Sequence, residues 1–314
     1  MFLGAQALPI GPPWLVLLGL AIGVLSGLLG VGGGVLMTPA LHILGMSMPM
    51  AVATTLTQMV GASLSGSIKH FRNKNVSLPL ALVFGVPGMF GMHSGRSIMA
   101  AWSLEPHADD SLSWLYMALM AYLGLSMLLK LLRKDQPSKS SPSKAWWTRG
   151  PQWRLKAHPH PIPLLAAAFV GFLVGILSGL TGLGGGFFYI PAFVFLGGCT
   201  IKEAVGTSLA TVFLSSLYGA IAYGVTGFSN IPTALLLMVG AIAGAQLGAS
   251  LAHRSKNESL QLLFVILIFA ALGSMLFKQF DWNTAAHILL FGSGILLVSL
   301  AVFRVLWPKS SVSS

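Results

Sequence analysis

The sequence predicts an all-α polytopic membrane protein built from two related halves. Three observations lead to this prediction: 55% of the 314 residues are hydrophobic, only 8% are charged, and one glycine-rich segment occurs twice. A soluble domain carries about 25% charged residues. Transmembrane β-strands would show alternating segments of about ten residues, a pattern that is absent from this sequence.

Eight long apolar stretches provide the membrane crossings. A helix needs roughly 20 apolar residues to cross the hydrocarbon core, and each stretch is close to that length or longer. The stretches are 14–37, 77–95, 112–129, 162–198, 204–223, 231–252, 259–277 and 285–303. We expect about seven full spans plus two hairpins, or eight to nine transmembrane helices as these are usually counted.

The two halves are visible as an internal repeat. Gly23–Pro39 aligns without gaps with Gly175–Pro191 at an offset of 152, and ten of the seventeen pairs are identical. The sequence AVATTL at 51–56 then matches AVGTSL at 204–209 at an offset of 153. Internal duplication is common in secondary transporters. The predicted domains are an N-terminal transmembrane repeat (1–133), a basic cytoplasmic linker (134–161), a C-terminal transmembrane repeat (162–280) and an extra transmembrane helix with a tail (281–314).

Loop charges predict that the two copies have inverted topology. The loop 130–156 contains eight lysines and arginines and a single acid, Asp135, so we place it in the cytoplasm. Arg304 and Lys309 place the C-terminus in the cytoplasm as well. Tracing the spans from the linker puts residues 69–74 inside, and tracing them back from the C-terminus puts their counterparts 224–230 outside. Segment 162–198 must then enter and leave on one side, as a re-entrant hairpin bent at Gly182–Gly186, and 14–45 mirrors it. Parallel repeats with eight or nine ordinary spans are the alternative.

The repeated glycine segment predicts an anion site. A glycine turn between two half-helices exposes N–H groups at the positive end of the second one. Such backbone is tolerated at membrane depth only where protein or a water-filled cavity satisfies it. The alternatives are that the glycines only allow close helix packing and that nearby hydroxyls only cap helices. The predicted substrate-binding residues are Gly30, Gly32, Gly33, Gly34, Thr54, Thr55, Gln58, Gly182, Gly184, Gly185, Gly186, Tyr189, Thr207, Ser208 and Thr211.

The residue types that are missing exclude several other functions. All seven acids lie in loops or at span ends, which argues against a cation substrate. The segment GLLGVGGG lacks the Lys and Ser/Thr of a P-loop, and no G-x-S-x-G motif occurs, so we predict no enzyme and no catalytic residues. The single Cys199 excludes an internal disulfide, and we predict neither a metal site nor a cofactor.

We interpret the net charge of +11 as the excess of basic residues that the positive-inside rule predicts for cytoplasmic loops, and not as a sign of nucleic-acid binding. The predicted partners are therefore a small anion substrate and the lipid bilayer, with no nucleic acid. A homodimer is an option that the sequence leaves open. The predicted location is the bacterial inner membrane, which the chain crosses several times.

The doubled segment resembles that of the sulfite exporter TauE/SafE family. The pattern S-G-x-x-G-x-G-G-G-x-x-x-x-P occurs at Ser26–Pro39 and again at Ser178–Pro191. This resemblance implies a secondary transporter in the inner membrane that exports small sulfur-containing anions, such as sulfite or organosulfonates, by alternating access. An anion channel or facilitator and a non-transport membrane scaffold are the alternatives.

Overall fold

The computed structural model describes residues 9–132, 152–153, 162–252, 257–290 and 292. Within them, two short strands, β1 (Gln152–Trp153) and β2 (Ile162–Pro163), pair antiparallel. Residues 283–290 are also helical and belong to the extra helix predicted for 281–314. The remaining helices are α1 (Pro12–Leu29), α2 (Gly34–Ile43), α3 (Met48–Arg72), α4 (Leu78–Trp102), α5 (Ala108–Leu132), α6 (Leu164–Thr181), α7 (Gly186–Phe195), α8 (Ile201–Val225), α9 (Ile231–Ala252) and α10 (Asn257–Gln279).

Long apolar helices make up most of the described chain. Six of them are long and apolar enough to cross a membrane, judged by length and composition. Shorter apolar helices, including α2 and α7, accompany them. The prediction of an all-α polytopic membrane protein is therefore confirmed. Most of the linker predicted at 134–161 lies outside the described residues.

Helix α4 is longer than the sequence predicted. We expected a loop over 96–111, whereas α4 continues to Trp102 and α5 begins at Ala108. The helix passes through Arg96 because Ile98–Trp102 are all apolar and Met99 is buried in the core. A single arginine does not end such a helix, since its aliphatic stem can lie along apolar surface.

Two pairs of parallel helices connect the halves. Helix α1 lies along α9, where Gly19 faces Leu237 and Gly27 faces Ala245, so both helices advance in the same direction. Helix α6 lies along α4 in the same manner. The contacting pairs there are Gly171 with Phe84, Gly175 with Gly88, and Gly179 with Met92. Since the repeat relates α1 to α6 and α9 to α4, the two pairs are equivalent.

Helices α3 and α8 occupy the same place in the two repeats and contact each other directly. A Cβ atom on Gly219 would lie 3.1 Å from the Leu56 side chain, and one on Gly66 would lie 3.0 Å from Leu209. Positions rise along one helix as they fall along the other, so α3 and α8 are antiparallel. They form the centre of the protein, and most of their contacting residues are buried.

Polar contacts join α5 to the start of α3 and α10 to the end of α2. The backbone N–H of Met48, in the first turn of α3, donates to the carboxylate of Asp109, and the Lys278 ammonium donates to the carbonyl of His42. Asp109 thus places a negative charge at the positive N-terminus of α3. These bonds also put the start of α5 and the end of α10 on the same side of the protein.

Tyr116 of α5 compensates for a proline inside α2. Pro39 has no N–H, so the carbonyl of Val35, four residues earlier, lacks its helical donor. The Tyr116 hydroxyl lies 3.1 Å from this carbonyl oxygen and 3.2 Å from that of Gly34, and donates to them. Because Tyr116 is fully buried, this bond holds the short helix against α5.

Candidate functional site

Each half begins with a helix that is broken by glycines. Helix α1 ends at Leu29 and α2 starts at Gly34, and α6 and α7 are separated in the same way. The break requires left-handed backbone, which only glycine adopts without strain. The φ values at equivalent positions agree: 72° and 69° for Gly30 and Gly182, 81° and 75° for Gly32 and Gly184, 84° and 71° for Gly33 and Gly185. We call these segments, together with the first residue of the helix that follows each (30–34 and 182–186), the glycine turns.

The two glycine turns contact each other through backbone atoms. A Cβ atom on Gly186 would lie 2.6 Å from the carbonyl oxygen of Gly30. The equivalent contact joins Gly34 to the carbonyl oxygen of Gly182 and is closer still. The structure therefore brings together two segments that are more than one hundred residues apart in the sequence.

Met59 of α3 and Val212 of α8 lie against both turns. A Cβ atom on Gly32 would be 2.7 Å from the Met59 methyl carbon and 2.7 Å from a methyl carbon of Val212. Both side chains also approach Gly184. Met59 and Val212 are equivalent in the repeat, so the two halves meet symmetrically at this point. Neither residue was predicted to belong to the site.

The turns present unpaired N–H groups at the starts of α2 and α7. The first hydrogen bonds of α2 run from Leu36 and Met37 to the carbonyl of Gly33. Within the described residues, the N–H groups of 32–34 and 184–186 donate no hydrogen bond. Each half-helix N-terminus carries about half a positive charge. Among the residues that the structure describes, no group of three or more His, Cys, Asp or Glu residues is placed to hold a metal ion.

Thr54 and Thr207 make equivalent hydrogen bonds between the halves. The hydroxyl oxygen of Thr54 accepts from the N–H of Asn230 at 3.1 Å, and that of Thr207 accepts from the N–H of Ser77 at 3.0 Å. Asn230 and Ser77 precede α9 and α4, so each threonine fixes the start of a helix. Each threonine therefore caps a helix, which is the alternative role that we considered for these hydroxyls. It caps a helix of the other half and not the helix to which it belongs.

Threonine-to-valine variants at these two positions test how the helix starts are held. We expect Thr54→Val and Thr207→Val each to lower the free energy of unfolding by about 1–3 kcal/mol, because each leaves a buried N–H without its acceptor. Thr54→Ser and Thr207→Ser keep the hydroxyl and serve as controls. Thermal unfolding in detergent measures the effect, and valine variants as stable as the serine variants would contradict it.

Ser208 binds the first glycine turn, whereas its counterpart does not bind the second. The Ser208 hydroxyl lies 2.7 Å from the carbonyl oxygen of Gly30 and 2.8 Å from that of Val205, and donates to them. Thr55, the equivalent residue of α3, is fully buried and its hydroxyl has no hydrogen-bond partner. The symmetry of the two turns therefore fails at their side-chain contacts.

Gln58 and Tyr189 are buried with unpartnered polar atoms. Gln58 is the one buried residue, among those that the structure describes, whose side-chain nitrogen and oxygen both lack a partner. Its counterpart Thr211 instead donates to the carbonyl of Thr207 at 2.9 Å. The Tyr189 hydroxyl also has no partner, although its ring stacks on Phe193 at 5.9 Å. Each unsatisfied buried group costs roughly 1–3 kcal/mol.

Ser26 and Ser178 were missed by the sequence predictions. They are equivalent in the repeat, nearly fully buried, and without hydrogen-bond partners on their hydroxyls. The signal was available, because serine opens the motif in both copies. Ser26 lies beside Gly33 at the wall of a cavity of about 10 Å³, which is close to the volume needed for one water molecule. The cavity is lined by Ile22, Leu25, Ser26, Val31, Gly33, Val35 and Leu36.

Comparison with known proteins supplies the family. The chain is 28% identical to the probable membrane transporter protein YunE of Bacillus subtilis, over 81% of this chain and 93% of that protein. It is 29% identical to a probable membrane transporter protein of Xylella fastidiosa, over 79% and 88%. It is also 28% identical to the probable membrane transporter protein YfcA of Escherichia coli, over 82% and 86%. No solved structure matches the chain.

The family profile described as sulfite exporter TauE/SafE matches residues 15–275. This range includes both glycine turns and the helices that surround them. The similarity to these relatives and the apolar helices together identify the chain as a multi-pass membrane transporter. The protein belongs to the sulfite exporter TauE/SafE family.

Proposed function

We propose that the protein is a secondary transporter that exports small sulfur-containing anions, such as sulfite or organosulfonates, across the bacterial inner membrane. The anion binds between the two glycine turns, and access alternates between the two sides as the halves move. The C-terminus lies in the cytoplasm, in agreement with the basic residues that flank the last helices.

The observation that carries this proposal is the meeting of the two glycine turns. It brings two sets of unpaired N–H groups to one place, where both half-helix dipoles favour negative charge. Buried hydroxyls of Ser26, Thr55 and Ser178 add further hydrogen-bonding groups. Carboxylates, which a cation would need, are absent from this set of residues.

Contacts between equivalent residues support inverted halves. Helices α3 and α8 are antiparallel, as copies related by an axis in the membrane plane must be. Paired contacts recur with the repeat offset: His70 Nε2 lies 3.4 Å from the carbonyl oxygen of Gly27, and the Tyr223 hydroxyl donates to that of Gly179 at 2.6 Å. The bonds of Thr54 and Thr207 form a second such pair.

Close packing of the turns favours a transporter over a channel. Backbone atoms of one turn lie in contact with those of the other, and the Met59 and Val212 side chains fill the space beside them. An anion therefore reaches this point only after the halves move. Movement of that kind limits the rate and makes flux saturate with substrate concentration.

Flux measurements in proteoliposomes test the proposal. We expect radiolabelled sulfite or sulfoacetate to enter vesicles that hold the purified protein faster than empty vesicles, with saturation. Flux that rises linearly with concentration would indicate a channel instead. If neither anion moves faster than in empty vesicles, sulfur-containing anions are not the substrates. A reporter fused to the C-terminus tests the topology, because only a cytoplasmic end leaves an alkaline phosphatase fusion inactive.

A further inference from the structure

We infer that Arg96 on α4 forms a second anion site, on the outer side of the glycine turns, which holds the exported sulfonate or sulfite before its release. This inference rests on the proposed function and its topology, in which residues 69–74 lie in the cytoplasm and α4 therefore ends on the outer side. It assigns a binding residue that is separate from the glycine turns.

Arg96 carries its charge inside the membrane. Helix α4 has 25 residues and extends about 37 Å, so with α4 centred in the bilayer Arg96 lies about 9 Å from the middle. The hydrocarbon core reaches roughly 15 Å from its middle, which places this residue within it. An arginine at such depth is rare, faces the protein interior or a water-filled cavity, and marks an ion pathway.

In the part of the chain that the structure describes, no carboxylate neutralises this guanidinium. Arg96 is half-buried, and its Nε is buried without a hydrogen-bond partner. The acids nearest in sequence lie beyond the end of α4, where Asp109 and Asp110 bind other residues and Glu105 is exposed. A positive charge at this depth without a counter-ion requires water or an anion beside it.

Backbone contacts place Arg96 beside the end of α6. A Cβ atom on Gly179 would lie 3.0 Å from the Arg96 backbone N, and Gly179 stands three residues before the second glycine turn. The Gly179 carbonyl already accepts from the Tyr223 hydroxyl at 2.6 Å, and the Arg96 charge acts on that hydroxyl. The C-terminus of α6 offers only about half a negative charge, so the guanidinium keeps donors for a ligand.

One face of α8 connects the glycine turns with this region. Val212, Gly219 and Tyr223 follow each other at helical spacing, and Val212 touches both turns. A Cβ atom on Gly219 would lie 3.4 Å from the sulfur of Met92, which is one turn before Arg96 on α4. Eleven residues of helix separate Val212 from Tyr223, so the two sites are about 16 Å apart along α8.

Polar side chains line the outer half of the seam between α4 and α8. His93 Nδ1 lies 2.6 Å from the Tyr218 hydroxyl oxygen, about one turn before Arg96 and Tyr223 on their helices. The repeat places Ala249 where Arg96 stands, and Ala249 is fully buried. Packing of the repeat therefore does not need a cation at this position.

A guanidinium with free donors favours an oxyanion. Its planar fork matches two oxygens of one sulfonate or sulfite group, whereas a halide offers a single centre. An anion that leaves the glycine turns toward the outside along this seam meets Arg96 before it reaches bulk water.

Protection of Arg96 from chemical modification tests the site directly. Butane-2,3-dione modifies accessible guanidinium groups, and mass spectrometry of the purified full-length protein measures the rate at each arginine. We expect methanesulfonate to slow modification of Arg96 by the factor 1 + [L]/Kd, about tenfold at ten times Kd, and chloride at equal ionic strength to protect less. Arg72, exposed in the last turn of α3, is the control that methanesulfonate leaves unprotected. The inference is overturned if Arg96 is not modified at all, or if methanesulfonate protects it no better than chloride.

Charge variants test the role of this site in transport. Arg96→Gln should raise the sulfite concentration that gives half-maximal flux at least about tenfold, because hydrogen bonds to charged groups are among the strongest. Arg96→Lys keeps the charge without the fork and should recover part of that loss. Arg72→Gln, which removes an exposed charge at the other side, should leave flux unchanged. Equal loss in both Arg96 variants, or wild-type flux in Arg96→Gln, would contradict a role in anion binding.

The two tests separate this inference from the proposed function. Transport of sulfite without protection of Arg96 leaves the transporter standing and removes the second site. Protection of Arg96 without transport of any sulfur-containing anion removes the proposed function, and with it the release step assigned to Arg96, while the anion site itself remains.

Discussion

Replacing Gly34 with alanine should reduce transport at least about tenfold. The Cβ atom of alanine would overlap the carbonyl oxygen of Gly182 and would lie 2.9 Å from the Met59 sulfur. Overpacking of this kind costs about 1–3 kcal/mol, and a clash with backbone belongs in the upper part of that range. The cost falls on the state in which the turns meet, so a cost of about 1.4 kcal/mol or more lowers the population of that state at least tenfold. Gly34 has no left-handed φ, so the loss would come from the contact between the turns and not from backbone strain.

Initial rates in proteoliposomes and the melting temperature measure this effect. Gly186→Ala, the equivalent change in the second turn, should act in the same direction, since its Cβ would lie 2.6 Å from the carbonyl oxygen of Gly30. Gly224→Ala is the matched control, because no atom lies within 4 Å of a Cβ at that position. Wild-type transport and stability in Gly34→Ala would show that the turns do not meet as described.

Replacing Gly244 with leucine should prevent assembly of the protein. A Cβ atom there would overlap the carbonyl oxygen of Leu20 and lie 2.7 Å from the backbone N of Val24. Backbone atoms cannot turn aside as side chains do, so α1 and α9 would have to separate along their length. We expect a loss of at least about 3 kcal/mol, the upper part of the usual range for overpacking.

The amount of monodisperse protein recovered from membranes measures this loss. Gly91→Leu, at the equivalent position of α4, should behave alike, because its Cβ would overlap the carbonyl oxygen of Phe172. Gly224→Leu again provides the control with open space around it. Normal recovery of Gly244→Leu would mean that α1 and α9 lie farther apart than the structure shows.

Much of the fold was predictable because glycine and proline act locally. The glycine segments correctly placed the breaks after Leu29 and Thr181, since left-handed backbone there depends on the residue itself. Pro79 and Pro232, equivalent in the repeat, each stand at the second position of a helix, where their missing N–H is not needed. The partners of each helix were not predictable, because spacing identifies a glycine face and not the helix that covers it.

The candidate site was predictable only in outline. Glycine runs and nearby hydroxyls marked the correct segments, yet the roles of the hydroxyls depend on backbone atoms from the other half. Thr207 and Ser208 are adjacent, but one accepts from Ser77 and the other donates to Gly30. Thr55 and Ser208 match in the repeat and still differ in their bonds. Such differences arise from tertiary contacts that a single sequence does not display.

The pairing of α1 with α9 also constrains how the protein is made. The ribosome releases α1 into the bilayer more than two hundred residues before the partner that covers Gly19, Gly23 and Gly27 has been synthesised. During that time the glycine face of α1 meets lipid or the insertion machinery. The N-terminal half is therefore not an independent folding unit, although it carries one complete copy of the repeat. Two halves expressed as separate chains would have to find each other in the membrane before either could complete its packing.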